Sequence, residues 1–328
     1  MAMGRINLFV WFVRCAMAGL AALCLAKAAW ADRENEYVYV ASQDGNSVSI
    51  VDVDTNQVVS RIQVADKPVF IAVTRDGKRG FVTHPDSGKI SALDLQGKHV
   101  SAVYDFPGEP FAAVLSADEQ SLFVSDWKGN AVVRISTHDG IETGRIAVGD
   151  APAGLTLDAA CQRLFVADRG SATVSVIDTG AWKHLAGIPV GASPFALASH
   201  GNQVYVANVK DNTISRLEAD SLKETWRVKM QSMPYGIAIS NDGKQLWVTA
   251  QQKGVLQRIG SDGSVDETLV KVGRYPEGVA IAGGRAYVAT WFDDSVVVMD
   301  LEPGQVLKKI AVDAGPRIVV TRSRCKKE

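Results

Sequence analysis

Cysteine and histidine are scarce in this chain of 328 residues, which has four of the first and five of the second. Their spacing fits no common metal or haem motif: neither HExxH nor CxxCH occurs, which argues against a zinc site or attached c-type haem. Also missing are GxSxG, a Walker A loop and GxGxxG, so a serine hydrolase, a nucleotide hydrolase and a dinucleotide enzyme each lack their usual mark. Neither sign of charge dominates, with 35 Lys and Arg against 36 Asp and Glu. That balance excludes a globally basic nucleic-acid binder and an acidic-tail protein. After residue 31 no apolar run is long enough to cross a bilayer.

The first 31 residues stand apart. They carry Arg5, Arg14 and Lys27 and no acid, with the apolar run CAMAGLAALCLA after Arg14 and Ala29-Trp30-Ala31 before Asp32. A basic start, a short apolar core and a small-x-small site describe a cleavable secretory signal peptide. Residues 1–31 are therefore predicted to be removed on export to the periplasm, leaving 32–328 with no membrane span.

What the rest contains is repetition. Aromatics recur at Tyr39, Phe81, Phe123, Phe165, Tyr205, Trp247 and Tyr287, spaced by 42, 42, 42, 40, 42 and 40 residues. Prolines recur in step at Pro68, Pro110, Pro152, Pro194, Pro234, Pro276 and Pro316, with the same six spacings. Between these markers run short stretches rich in Val, Ile and Phe, punctuated by Gly, Asp, Ser and Pro, which is strand rather than helix punctuation. A period of 40–45 residues with four strands marks a β-propeller blade. One such sheet cannot bury both faces, whereas a closed ring of sheets can.

The predicted fold is all-β: a seven-bladed β-propeller with four antiparallel strands per blade, A innermost to D outermost. The run after each proline is A and the aromatic run is B. The mature chain opens on a B strand, YVYVA (37–41), and ends on an A strand, RIVVT (317–321). The last strand is thus expected to close the first blade from inside. Segments such as LFVADRGSATVSVIDTGAWKHLAGIPVGASPFALA and VYVANVKDNTISRLEADSLKETWRVKMQSMPYGIAISNDGK resemble the YVTN family of β-propeller repeats, including YncE-like periplasmic proteins. The resemblance covers essentially all of 37–321. It implies the propeller, while related propellers serve as binding proteins, surface proteins and dehydrogenase subunits, so function rests with the loops.

Strand direction sorts those loops. D–A and B–C turns share one rim, the top, and A–B and C–D turns the other. His99, His138, His184 and His200 fall in bottom turns, which solvated residues occupy, and His84 falls on top as a candidate ligand contact. Cys161 and Cys325 each lie nine residues after a repeat proline, in blades 4 and 1. Three steps apart around the ring, they are predicted to be two free thiols, since a disulfide needs Cα atoms within about 7 Å; the alternative is that the tail after Thr321 swings over.

The top rim carries the candidate site. Asp126, Asp168 and Asn208 end successive B strands, where they either cap their own turns or form a cation-binding arc. Glu109 and Glu277 enter at D–A turns in blades 3 and 7, too far apart to share one ion. Phe70, Phe111, Phe195 and Tyr275 read mainly as packing. Trp127 and Trp291 lie in B–C turns, among Lys67, Arg169 and Arg317. The residues predicted to contact a ligand or partner are Arg317, Glu277, Tyr235, Lys67, Trp127, Trp291 and Arg169. They suit a protein partner or a small anionic molecule. Single-stranded nucleic acid is held by the same residue types, but neighbouring acids dilute the positive field. The expectation is a non-enzymatic periplasmic binding or scaffold propeller with no catalytic residue and no cofactor. The alternatives are a metal-assisted lactonase- or lyase-like enzyme using Asp126, Asp168 and Asn208, or a non-catalytic subunit of a periplasmic quinoprotein or haem dehydrogenase.

Overall fold

The computed structural model describes residues 36–323 and Cys325. The segment assigned above to the signal peptide lies outside the described residues.

Residues 37–320 form 28 strands in seven four-stranded antiparallel sheets. Six sheets are consecutive in sequence. The seventh has the order β28-β1-β2-β3, so the last strand, β28 (Pro316–Val320), pairs with β1 (Tyr37–Ser42), with Val320 opposite Tyr39 and Ile318 opposite Ala41. The expected non-covalent closure is present.

The repeated aromatics explain why the ring holds. Seven separate apolar clusters fill the seven contacts between neighbouring blades, and each contains one of them. Tyr287 of blade 7, for example, packs with Val38 and Val40 of blade 1. All seven aromatics are buried. The B strands are buried on both faces, so they read as continuous apolar runs. The outer D strands, such as β19 (Lys223–Lys229), alternate exposed and half-buried residues. Charged residues on these outer strands discourage edge-to-edge association.

The repeat proline starts the inner strand in six blades, at Pro110, Pro152, Pro194, Pro234, Pro276 and Pro316. It stands opposite the end of strand B, and the register then shifts. In blade 4, Pro152 faces Asp168 and the next pair is Leu155 with Val166. The same shift recurs in blades 3, 5, 6 and 7. A bulge re-aims the side chains within it. Here it aims the residue after the proline at the channel mouth. Inner strands converge there, and Gly278 shows how closely: a Cβ on it would lie 2.7 Å from the Ile318 Cα.

The fate of the two cysteines corrects the sequence expectation. Cys161 and Cys325 form a disulfide, with Cα atoms 5.9 Å apart. The chain does not stop in the blade 1 turn. It leaves β28 after Val320 and crosses beneath the channel to blade 4. Ser323 N donates to Val73 O at 2.9 Å, and Arg75 Nε donates to Cys325 O at 2.9 Å. Five residues of extended chain reach roughly 17 Å, and it is the swing of the tail after Thr321 that brings the two cysteines together.

Candidate functional site

The seven inner strands enclose a channel with two chambers. The lower, of about 540 Å³, is lined by aliphatic side chains together with Thr156, Asp158, Ser199 and His200, and by Thr321–Ser323 and Cys325 of the crossing tail. The upper, of about 200 Å³, lies at the top end and is lined by Phe111, Phe195, Tyr235 and Arg317 among others.

Those four residues occupy equivalent positions, each immediately after a repeat proline. In ring order the position holds Val69, Phe111, Ala153, Phe195, Tyr235, Glu277 and Arg317. The large members close on one another. Phe111 meets Phe195 edge to face at 5.7 Å, and Phe195 meets Tyr235 at 4.2 Å. Arg317 Nη2 donates to Tyr235 Oη at 3.3 Å, and its guanidinium lies 5.5 Å over Phe111. This cycle of contacts forms a collar across blades 3, 5, 6 and 1.

Blade 4 contributes only Ala153 to that level, and a second guanidinium comes in beside it. Arg169, from the turn after β13 (Arg163–Asp168), stands 5.6 Å over the Trp127 ring and 5.8 Å over Phe195. Trp127 in turn packs on Phe111 at 4.8 Å. Among the described residues the Arg169 side chain has no ion-pair or hydrogen-bond partner, and its Nε is closed off from solvent.

On the far side of the collar lies Glu277, 4% exposed. Its Oε2 is 3.7 Å from Arg317 Nε, and its Oε1 accepts from Gln251 Nε2 at 3.0 Å. Burial pushes this carboxyl up to about 7, against the opposing pull of Arg317 and the Gln251 hydrogen bond. Glu277 Oε2 and Gln251 Oε1 are buried without a hydrogen-bond partner. Arg317 Nη1 donates to Gln43 Oε1 at 2.8 Å. Burial also raises the Tyr235 hydroxyl well above its ordinary value, so it stays a neutral donor and acceptor.

Of the seven contact residues expected from sequence, Arg317, Glu277, Tyr235, Trp127 and Arg169 are thus brought together. Lys67 and Trp291 are not. Lys67 Nζ pairs with Asp44 at 2.7 Å on the rim of blades 1 and 2, and Trp291 belongs to a 3₁₀ turn of blade 7, its N–H donating to Tyr275 O at 3.1 Å. Phe111, Phe195, Gln43 and Gln251 join the site unannounced. Phe111 and Phe195 carried a usable signal, the position after the repeat proline, which they share with Arg317.

Asp126, Asp168 and Asn208 do not form an arc around a common point. Asp126 Oδ1 accepts from the backbone of Glu109 and Gly129, both at 3.0 Å, while Oδ2 pairs with Arg145 at 2.8 Å. Asp168 Oδ2 accepts from Thr173 and Ser175 hydroxyls at 2.9 and 2.8 Å. Burial raises its pKa, and the two hydroxyls work against that rise. Asn208 donates to Thr213 and Ser215 at 3.0 and 2.8 Å. Each side chain serves its own blade. No three His, Cys, Asp or Glu among the described residues come together as a metal site.

His84 occupies the same end-of-strand position in blade 2 and turns inward likewise. It is fully buried, with Nδ1 3.1 Å from Asp66 O and Nε2 2.9 Å from Ser91 Oγ. A carbonyl only accepts, so Nδ1 carries the proton and Nε2 accepts from the serine. His84 is a structural hydrogen-bond bridge rather than a ligand contact.

No family model matches the chain. A stretch of 96 residues, 29% of this chain, is 30% identical to YncE of Salmonella typhi and spans 26% of that protein's length. Among solved structures, Kuenenia stuttgartiensis hydrazine synthase superposes with a TM-score of 0.72 at 21% identity, covering 80% of this chain and 92% of that one. Virginiamycin B lyase from Staphylococcus aureus gives a TM-score of 0.67 at 18% identity, covering 79% and 92%. At such identities the likeness shows the fold alone, and proteins of very different chemistry share it. The YncE likeness and the seven-bladed ring together support a YncE-like propeller.

Proposed function

We propose that this YncE-like seven-bladed propeller is a non-enzymatic binding protein of the periplasm that takes its ligand at the upper mouth of the channel. The observation that carries the reading is the collar. Four blades send aromatic and cationic side chains to one point above a mostly apolar chamber, and buried polar atoms of Glu277 and Gln251 beside it lack partners. A concave apolar chamber with a few convergent polar groups is the usual form of a ligand site. The crossing tail lines the lower end of the channel, which favours entry from the top.

The metal-assisted enzyme reading loses its ligands, because Asp126, Asp168 and Asn208 are each committed within separate blades. The site pairs no Ser, Thr or Cys nucleophile with a base, which covalent catalysis would need.

The test is native mass spectrometry of the protein purified from periplasm, alongside Trp127→Ala and Arg317→Gln. Binding predicts a small-molecule adduct on the parent that the variants lose while their melting stays close to the parent's. An adduct retained by both variants refutes the site. So does a parent that carries no adduct and shows no thermal response to a panel of small anions.

A further inference from the structure

We infer that the channel mouth is a receptor for a small planar aromatic monocarboxylate, with Arg169 as the group that receives the carboxylate. The inference rests on the binding reading above and adds the ligand's chemistry.

Charge comes first. Two guanidinium groups stand at the collar, and they are not equivalent. Arg317 is satisfied: Gln43 and Tyr235 accept from it, and the Glu277 carboxyl lies 3.7 Å away. Half-buried Arg169 has two aromatic faces and, among the described residues, no acceptor; Nε is its one nitrogen closed off from solvent. Aromatic faces soften the desolvation of a cation but satisfy none of its N–H groups. The two terminal nitrogens are not closed off and stay open to an entering ligand. The missing partner is an acceptor, and a guanidinium fork best matches a planar two-oxygen anion.

The surroundings set the rest of the ligand. A carboxylate lying in the plane of a stacked guanidinium projects its own body alongside the rings that frame it, here Trp127 and Phe195. Offset stacking rewards an aromatic body over a saturated one. The chamber beneath, about 200 Å³ and lined by residues such as Leu155 and Ile237, admits one or two fused rings. One guanidinium without an acceptor calls for one carboxylate.

The experiment is calorimetric titration of the parent with 1-naphthoate, its neutral counterpart 1-naphthamide, and cyclohexanecarboxylate. Naphthoate is expected to bind at least tenfold more tightly than either. Arg169→Gln should remove the advantage over the amide and leave amide binding unchanged. Trp127→Ala should remove the advantage over the saturated acid. Melting curves of both variants confirm the fold, and Arg169→Lys, which keeps charge without the planar fork, should recover only part of the affinity. Equal binding of naphthoate and naphthamide overturns the inference, as does naphthoate binding that is indifferent to Arg169→Gln. If naphthoate fails but inorganic phosphate binds in an Arg169-dependent way, the ligand class is wrong and the channel-mouth reading survives. If no probe responds to either variant, both fall.

Discussion

Two buried groups in different blades make opposite demands on pH, and their effects should cancel in the parent and reappear in single variants. His84 is held neutral, its pKa pushed from 6.5 down to about 4 by burial. Glu277 is held protonated, pushed from 4.5 up to about 7. Between pH 4.5 and 6.5 the unfolded chain protonates the histidine and ionises the glutamate, while the folded chain does the reverse. For His84 the folded pKa is depressed, so its contribution is full above 6.5 and is lost as pH falls. For Glu277 the folded pKa is raised, so its contribution is full below 4.5 and is lost as pH rises. Each slope is about 1.4 kcal/mol per pH unit, and each full effect about 3 kcal/mol. Proton counts in the two states match for this pair, so it adds no slope to the parent. His84→Gln leaves Glu277 alone, and stability relative to the parent should fall by about 3 kcal/mol from pH 4.5 to 6.5. Glu277→Gln leaves His84 alone, and stability relative to the parent should rise by a similar amount. Urea unfolding at pH 4.5, 5.5 and 6.5 measures all three proteins, and other carboxyls cancel in the differences. Parallel profiles for His84→Gln and the parent would show that the histidine is not kept neutral, and the reasoning would fail.

The disulfide closes a stretch of 164 residues, for which loop-closure entropy gives up to about 5 kcal/mol. Cys325→Ser should therefore unfold at a clearly lower urea concentration than the oxidised parent, and an unchanged midpoint would refute that role. Deleting residues 316–328 removes β28 from the first sheet and is expected to abolish cooperative melting; a soluble truncate that melts like the parent would disprove it. Gly278→Ala places a Cβ 2.7 Å from the Ile318 Cα and should cost about 1–3 kcal/mol by overpacking, read as a shift in urea midpoint.

The ring was legible because two unrelated markers kept step. The aromatic reports what lies between blades, the proline reports where the inner strand starts, and only a repeated sheet ties them together. Part of the site was legible for the same reason: Arg317, Glu277 and Tyr235 follow repeat prolines, and the bulge there turns their side chains to the mouth. Phe111 and Phe195 hold the same position, but an aromatic at a strand start reads as packing. Asp168 misled for a different cause. Spacing puts it at the top of strand B, yet whether it faces the channel or its own turn depends on Thr173 and Ser175, whose hydroxyls meet one of its oxygens at 2.9 and 2.8 Å. Lys67 was counted as a free charge because its partner, Asp44, belongs to the neighbouring blade.

The disulfide changes what the closing strand has to do. In a ring sealed only by β28, the weakest step is release of that one strand, and a released tail is free to drift away. Here the tail also holds on to blade 4 through Cys161, so a strand that leaves β1 stays within reach and re-pairs at high effective concentration. Thr321–Ser323 and Cys325 of the same tail also line the lower chamber, beside Arg75 and Val73. One segment therefore secures the seam and lines the channel's lower end. Reduction should affect both together, loosening the first blade and releasing that part of the lining. The collar at the other end carries the polar and aromatic chemistry. The disulfide at the lower end holds the tail in that lining.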